Sequence, residues 1–297
     1  MAKGREIKGR IRSVENTRKI TRTMEMVATS KLKRAQDRVV AARPYAAALR
    51  EVIASLYAPE LAERFPLLRQ PDAVRRAGVL LLTSNRGLAG AFNANLIREA
   101  RNLIARLEGD GTAVELHIVG RKGIGFFRYL GRPLGAGHTD IGDRPGAADA
   151  ARLVTPLMDA FGAGTLDAVY VVTARFISPL STPPVAERVL PVEPPADAPA
   201  PDAAAGPRKW RRDYILAPSA DAILTELLPA YVRNTVYRAL VETVAAEQGA
   251  RRTAMKNATD NATDILGELR RTYNRARQAQ ITQEIAEIVG GASALQS

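Results

Sequence analysis

A chain of 297 residues, 46% of them hydrophobic, is long enough for one or two domains with a sizeable core. It has no cysteine and two histidines, His117 and His138, which excludes disulfides, thiol chemistry and a Cys/His metal cluster. The net charge of +12 is uneven: residues 1–57 hold 14 Lys/Arg against 5 Asp/Glu, residues 58–207 hold 16 of each, and residues 208–297 hold 13 against 10. The opening Met-Ala-Lys-Gly-Arg carries no apolar signal region, and no long uncharged apolar run follows. A soluble protein that stays in the compartment of its synthesis is therefore expected, with no direct membrane insertion.

The first segment is a heptad seam. Steps of four and three from Ile7 meet Ile11, Val14, Arg18, Thr21, Glu25, Ala28, Leu32, Ala35, Val39, Ala42, Ala46, Leu49, Ile53 and Leu56. The polar run at Arg18, Thr21 and Glu25 is flanked by Ile20, Met24 and Val27, one residue off the seam, which predicts a local stutter. Pro44 lies within this helix and is expected to bend it, because proline deletes one backbone hydrogen bond.

The middle alternates strands and helices. Gly78–Thr83 reads as a buried strand, and Ser84-Asn85-Arg86-Gly87-Leu88-Ala89-Gly90 turns into a helix near Asn93–Leu107. Val114–Val119 is the next strand, followed by Gly120–Gly123 and a short helix toward Leu130. Ala147–Phe161 reads as a helix broken near Pro156, and Asp167–Ala174 as a third strand. The alternation predicts a small parallel α/β sheet. Pro191–Pro207 is rich in proline and alanine, a composition that predicts a solvated loop, with Arg188–Leu190 and Trp210–Leu216 flanking a hairpin.

From Ala230 onward there is no proline, and apolar or small residues recur three or four apart: Leu240, Val244, Met255, Ala258, Ala262, Ile265, Leu269, Tyr273 and Ala276. A helix to Val289 would run roughly 90 Å at 1.5 Å per residue, a length that needs a partner along it. A membrane span is excluded by the charges at Arg251, Arg252, Lys256, Asp260 and Asp264. The two arms are expected to pair. The fold class is α/β: a long antiparallel two-helix coiled coil from the terminal segments, 1–57 and 208–297, with a Rossmann-like α/β domain, 58–207, inserted between them. If Leu56 lies beside about Ile223, paired positions sum to near 279 and Ile7 faces about residue 272. The second helix then outruns the first from roughly Gln278, leaving Ile281, Ile285, Ile288 and Val289 for a partner to cover.

Nothing in the middle reads as catalytic. Gly87-Leu88-Ala89-Gly90 lacks the third glycine of a dinucleotide fingerprint, and there is no Gly-Lys-Ser/Thr of a P-loop. Gly120–Gly123, with Arg121 and Lys122 between, could hold an anion at a helix start, but a connecting turn is the more usual reading. Neither histidine has a serine and an acid arranged for a triad. Catalytic, cofactor and metal residues are accordingly expected to be none. The basic arms lack the aromatics or motifs of nucleic-acid binders, so no nucleic acid is expected, and an acidic or polarised protein surface is favoured.

Several stretches match one family. Ile7-Lys8-Gly9-Arg10-Ile11, Thr17-Arg18-Lys19-Ile20-Thr21, Met24-Glu25-Met26-Val27-Ala28 and, at the other end, Met255-Lys256-Asn257-Ala258-Thr259-Asp260-Asn261 and Arg277–Ala292 resemble the gamma subunit of F-type, proton-translocating ATP synthases. Ser84–Gly90 is similar to that family's strand–turn motif, with Ala89 where many bacterial members carry cysteine. The chloroplast members' redox-regulatory cysteine insertion is absent. The resemblance implies a non-catalytic rotor shaft coupling proton flow to the beta-subunit sites. Its implied partners are three alpha and three beta subunits, epsilon and the membrane c-ring, at the cytoplasmic face of a bacterial inner membrane. It also implies partner contacts at Met24, Arg251, Arg277, Gln278 and Thr282. A basic coiled-coil nucleic-acid binder and a nucleotide-binding α/β enzyme are the alternatives. Binding that falls steeply with salt would mark the first, and saturable nucleotide binding the second.

Overall fold

The computed structural model describes residues 2–56, 64–192 and 219–295. Two long helices, α1 (Ala2–Leu56) and α5 (Ala220–Leu295), enclose the α/β elements in sequence. The chain divides into two compact units, one of residues 1–30 with 251–297 and one of residues 31–250. The boundary therefore falls inside both long helices, and the inner part of each arm belongs with the sheet.

In the larger unit, β1 (Arg76–Leu82), β2 (Ala113–Val119) and β3 (Ala136–His138) pair in parallel on one side. On the other side of β1 lie parallel β4 (Ala168–Ala174) and antiparallel β5 (Pro184–Leu190), giving the order β3-β2-β1-β4-β5. The sheet is thus mixed, where an all-parallel one is expected from the alternation. The reversal at β5 follows from a short return through the Ser178–Ser181 bridge, too brief for a helical crossover. β3 is three residues long with no apolar periodicity, so its sequence carries no strand signal. Trp210–Leu216 and most of the Pro191–Pro207 loop lie outside the described residues.

β1 is buried at every position after Arg76, as a central parallel strand covered on both faces must be. On one face Val79 and Leu81 meet α2 (Phe92–Gly109) through Leu96, Ala100 and Leu103, whose three- and four-residue spacing makes a single apolar stripe. On the other face Leu80 and Leu82 meet α4 (Ala147–Gly162) through Leu153, Leu157 and Phe161. Helix α4 runs unbroken through Pro156, and Asp149 Oδ2 accepts the Gly146 N–H at 2.9 Å to cap its start. The arms complete both cores: Leu32, Ala35, Val39, Val241 and Ala245 on the α2 side, Ile53, Leu224, Leu228 and Val236 on the α4 side. Helix α5 begins ten residues before the proline-free stretch and carries Pro229 internally, just as α1 carries Pro44.

The β1 turn is locked to α3 (Arg121–Tyr129) by a close backbone approach. Gly120 sits at φ +98, and a Cβ there would stand 2.2 Å from the Thr83 carbonyl oxygen. Gly120→Ala is expected to cost about 3 kcal/mol or more, combining left-handed strain with a backbone clash. Gly111, at φ +80 with open space around it, isolates the strain alone, and Gly111→Ala should cost about 1–2 kcal/mol. Chemical denaturation of the two variants side by side checks both values.

Candidate partner surface

In the smaller unit the seam of α1 is buried or half-buried at every expected position from Ile7 to Ala28. The expected stutter is absent. Thr21, on the seam, is 9% exposed, whereas Ile20 and Val27 are 59% and 50% exposed and face outward with Met26. Polarity is tolerated on the seam because the partner is polar too: the Thr259 and Thr21 hydroxyls hydrogen-bond at 2.8 Å, and Thr259 Oγ1 also reaches the Met255 carbonyl at 2.9 Å. The pair 21 and 259 sums to 280, one from the expected 279, which sets the antiparallel register. On α5 the seam continues through Ala262 and Leu266; Ile265, expected there, is 46% exposed because its neighbour takes the buried position.

At that register Ala2, the start of α1, faces Gln278. Gln280 is half-buried, and every residue from Ile281 to Val289 is exposed. Two side-chain pairs on the polar face of the tail add about 0.2–0.5 kcal/mol each to the helix, Gln280 donating to Glu284 and Gln283 to Glu287, each at 2.9 Å. Its apolar face, Ile281, Ile285, Ile288 and Val289, is open. Of the residues predicted to meet partners, Arg277, Gln278 and Thr282 are exposed near this point, the Thr282 hydroxyl donating to the Gln278 carbonyl at 3.0 Å. Met24 is half-buried, and Arg251 is 8% exposed, so its guanidinium is enclosed. Ile20 and Val27, which the expected stutter would have turned toward the partner helix, are outward surface residues, as is Met26.

The glycine turns of the larger unit offer no anion cradle. The backbone N–H groups at the start of α3 are taken by the β1 turn: Arg121 donates to Asn85 Oδ1, Lys122 to the Ser84 carbonyl and Gly123 to Thr83 Oγ1, at 3.0–3.2 Å. The Ser84 N–H is accepted by Asn93 Oδ1, and Asn85 donates to the Thr139 and Ile141 carbonyls. Ser84, Asn85 and Asn93 are therefore a latch between β1, α2 and the β3 loop. His117 pairs with Glu115 at 3.0 Å. Burial, then the neighbouring Arg152 guanidinium, lowers the His138 pKa below its ordinary value. Among the described residues no group of His, Cys, Asp and Glu could hold a metal, and no helix is long and apolar enough to cross a membrane.

A family model described as ATP synthase matches residues 3–295. A chain from Gemmatimonas aurantiaca named ATP synthase gamma chain is 67% identical over 296 residues, covering all of both chains. The chain belongs to the ATP synthase gamma-chain family. A second gamma chain, from Frankia casuarinae, is 43% identical over 303 residues, covering 99% of this chain and 98% of its own length. The fold agrees with two solved structures. The central stalk and c-ring assembly of Tetrahymena thermophila mitochondrial ATP synthase has a chain 24% identical, with a TM-score of 0.58, covering 80% of this chain and 99% of its own. The rotor of the Euglena gracilis mitochondrial enzyme has one 20% identical, with a TM-score of 0.62, covering 94% and 99%.

The register is directly testable. Thr21→Cys with Thr259→Cys should form a disulfide under mild oxidation, since the parent hydroxyls already touch. Ile20→Cys with Thr259→Cys should not, because Ile20 points away from the seam. Mobility on a non-reducing gel separates the outcomes.

Proposed function

We propose that this gamma chain is the non-catalytic central shaft of a rotary ATP synthase. It couples proton flow through the membrane ring to the conformational changes of the beta-subunit sites. Residues 1–57 and 208–297 form the shaft, and residues 58–207 form the foot. The partners are three alpha and three beta subunits around the shaft, with epsilon and the c-ring at the foot, on the cytoplasmic face of a bacterial inner membrane. The observation that carries this reading is the open apolar face of Ile281–Val289 on a helix that has run past its own partner strand. Such a face is stable in water only when other chains cover it.

The interior supports the same division of labour. The turns that could have cradled a phosphate are occupied by the chain's own side chains. The inner parts of both arms contribute to the two cores of the sheet, so within the larger unit a force on the sheet reaches those helix segments through packed side chains. A ring of three alpha–beta pairs around a two-helix coil cannot meet it identically at all three sites. Rotation of the coil therefore presents different contacts to each beta subunit in turn. The comparisons match ATP synthase gamma chains and lend no support to the nucleic-acid and nucleotide-enzyme alternatives.

Arg277→Glu should impair coupling far more than folding. A like charge placed against a partner surface can cost several kcal/mol, while an exposed helix substitution costs about 0.5 kcal/mol or less. Assembly, thermal stability and proton-driven ATP synthesis are compared in the reconstituted complex. Normal coupling in the variant, or a deficit explained by unfolding, would contradict the contact role. The purified subunit is also expected to show no ATP hydrolysis of its own in a phosphate-release assay.

A further inference from the structure

The larger unit holds a cavity of about 480 Å³ between the carboxyl end of β4, strand β5 and the inner parts of α1 and α5. Open α/β sheets place ligands outside the carboxyl ends of their strands, and this cavity lies at that end of β4, on its β5 side and one strand away from the β1–β4 reversal. Four arginines line the cavity: Arg43 and Arg50 from α1, Arg175 from the end of β4, and Arg238 from α5. Arg175 is paired with Glu187, and Arg238 with Glu242 at 3.6 Å. Glu242 is further fixed by the Phe176 N–H, which donates to it at 3.2 Å. The exposed side chains of Arg43 and Arg50 make no hydrogen bond or ion pair among the described residues. The lining thus carries two positive charges in excess, both on one helix.

We infer that this cavity binds a linear polyphosphate group, held between Arg43 and Arg50 of α1 with Arg175 and Arg238 closing it from the sheet and α5. The two free arginines are seven residues apart, about 10 Å along the helix, a span that linked phosphates bridge with both side chains extended. Guanidinium is suited to this role because its planar fork donates two parallel hydrogen bonds to phosphate oxygens. The volume lies in the range of small-ligand pockets rather than of protein interfaces. Phe176, the one aromatic side chain lining it, is buried, so no ring face is offered to a nucleobase. Recognition should depend on the phosphate chain, whether it is inorganic or the tail of a nucleotide. A bound polyanion would also join α1, β4 and α5 through one ligand and relieve the repulsion among the arginines.

Isothermal titration of the full chain with sodium tripolyphosphate, ATP and AMP, at constant ionic strength, tests the inference. Tripolyphosphate should bind at one site per chain, AMP at least about tenfold more weakly because it carries one phosphate. ATP binding no tighter than tripolyphosphate supports recognition of phosphates alone. ATP binding more than tenfold tighter would overturn it by showing a base site. The double variant Arg43→Glu with Arg50→Glu should weaken tripolyphosphate at least tenfold. Arg101→Glu with Arg106→Glu, on the exposed face of α2, makes the same change in net charge and should leave it within about twofold. An equal loss in both variants, or several weak sites in the parent, would show non-specific attraction to a basic protein and overturn the inference. Thermal unfolding of all three proteins without ligand confirms that the variants are folded.

Discussion

Everything in the smaller unit depends on how little a two-helix seam can bury. Each helix hides one residue in three or four against its partner and leaves the rest of its circumference open. In most coiled coils the open faces are polar. Here Ile20, Met26 and Val27 stand outward on α1, and Ile281, Ile285 and Ile288 on the tail of α5. At the same time the seam itself accepts Arg18, Thr21 and Glu25, and a threonine pair at its centre. Part of the apolar surface has been placed outside and part of the polar surface inside. That exchange weakens the isolated coil but suits one whose outer surface is meant to be covered. The polar layer still performs a task in the chain itself, because a hydrogen-bonded pair has one good register where a run of alanines has several.

The larger unit answers a different requirement. A doubly wound sheet usually leaves its glycine turns free for a phosphate, and this one closes those after β1 and β2. Ser84, Asn85 and Asn93 consume the turn, Thr83 fills the start of α3, and the Thr173 hydroxyl is within 2.6 Å of Thr243 on α5. Hydrogen bonds that would have met a ligand instead hold the sheet to its helices. Lys31 and Asp143, at 2.5 Å, add a tie from α1 to the loop before α4. The consequence is that these polar groups hold the elements of the larger unit to one another.

Much of this was legible in the sequence. The heptad step from Ile7 marked the buried side of α1 correctly through Ile53, and length matching placed the register within one residue of the Thr21–Thr259 pair. The buried strands were visible as continuous apolar runs. What sequence reasoning missed has physical causes. It expected a stutter because it let apolar identity decide which residues face inward, while the helix kept its step and buried threonine instead. It chose Ile265 over Leu266 for the same reason. It broke α4 at Pro156 although a proline within a packed helix can be carried by its neighbours. Strand β3 and the antiparallel turn of β5 depend on tertiary pairing and leave no local signature. Of the proposed contacts, Arg277, Gln278 and Thr282 lie on open surface, but the burial of Arg251 could not be seen without the fold.

The central claim is that surrounding subunits, and none of the described residues of this chain, cover Ile281–Val289 of α5. Amide hydrogen exchange over residues 281–295, measured in the free subunit and in the complex with alpha and beta, tests it most directly. The account predicts exchange within seconds in the free chain, as for an isolated marginal helix, and slowing by orders of magnitude on assembly. Equal protection in both states would show that the chain shelters its own tail, and the shaft geometry would be wrong.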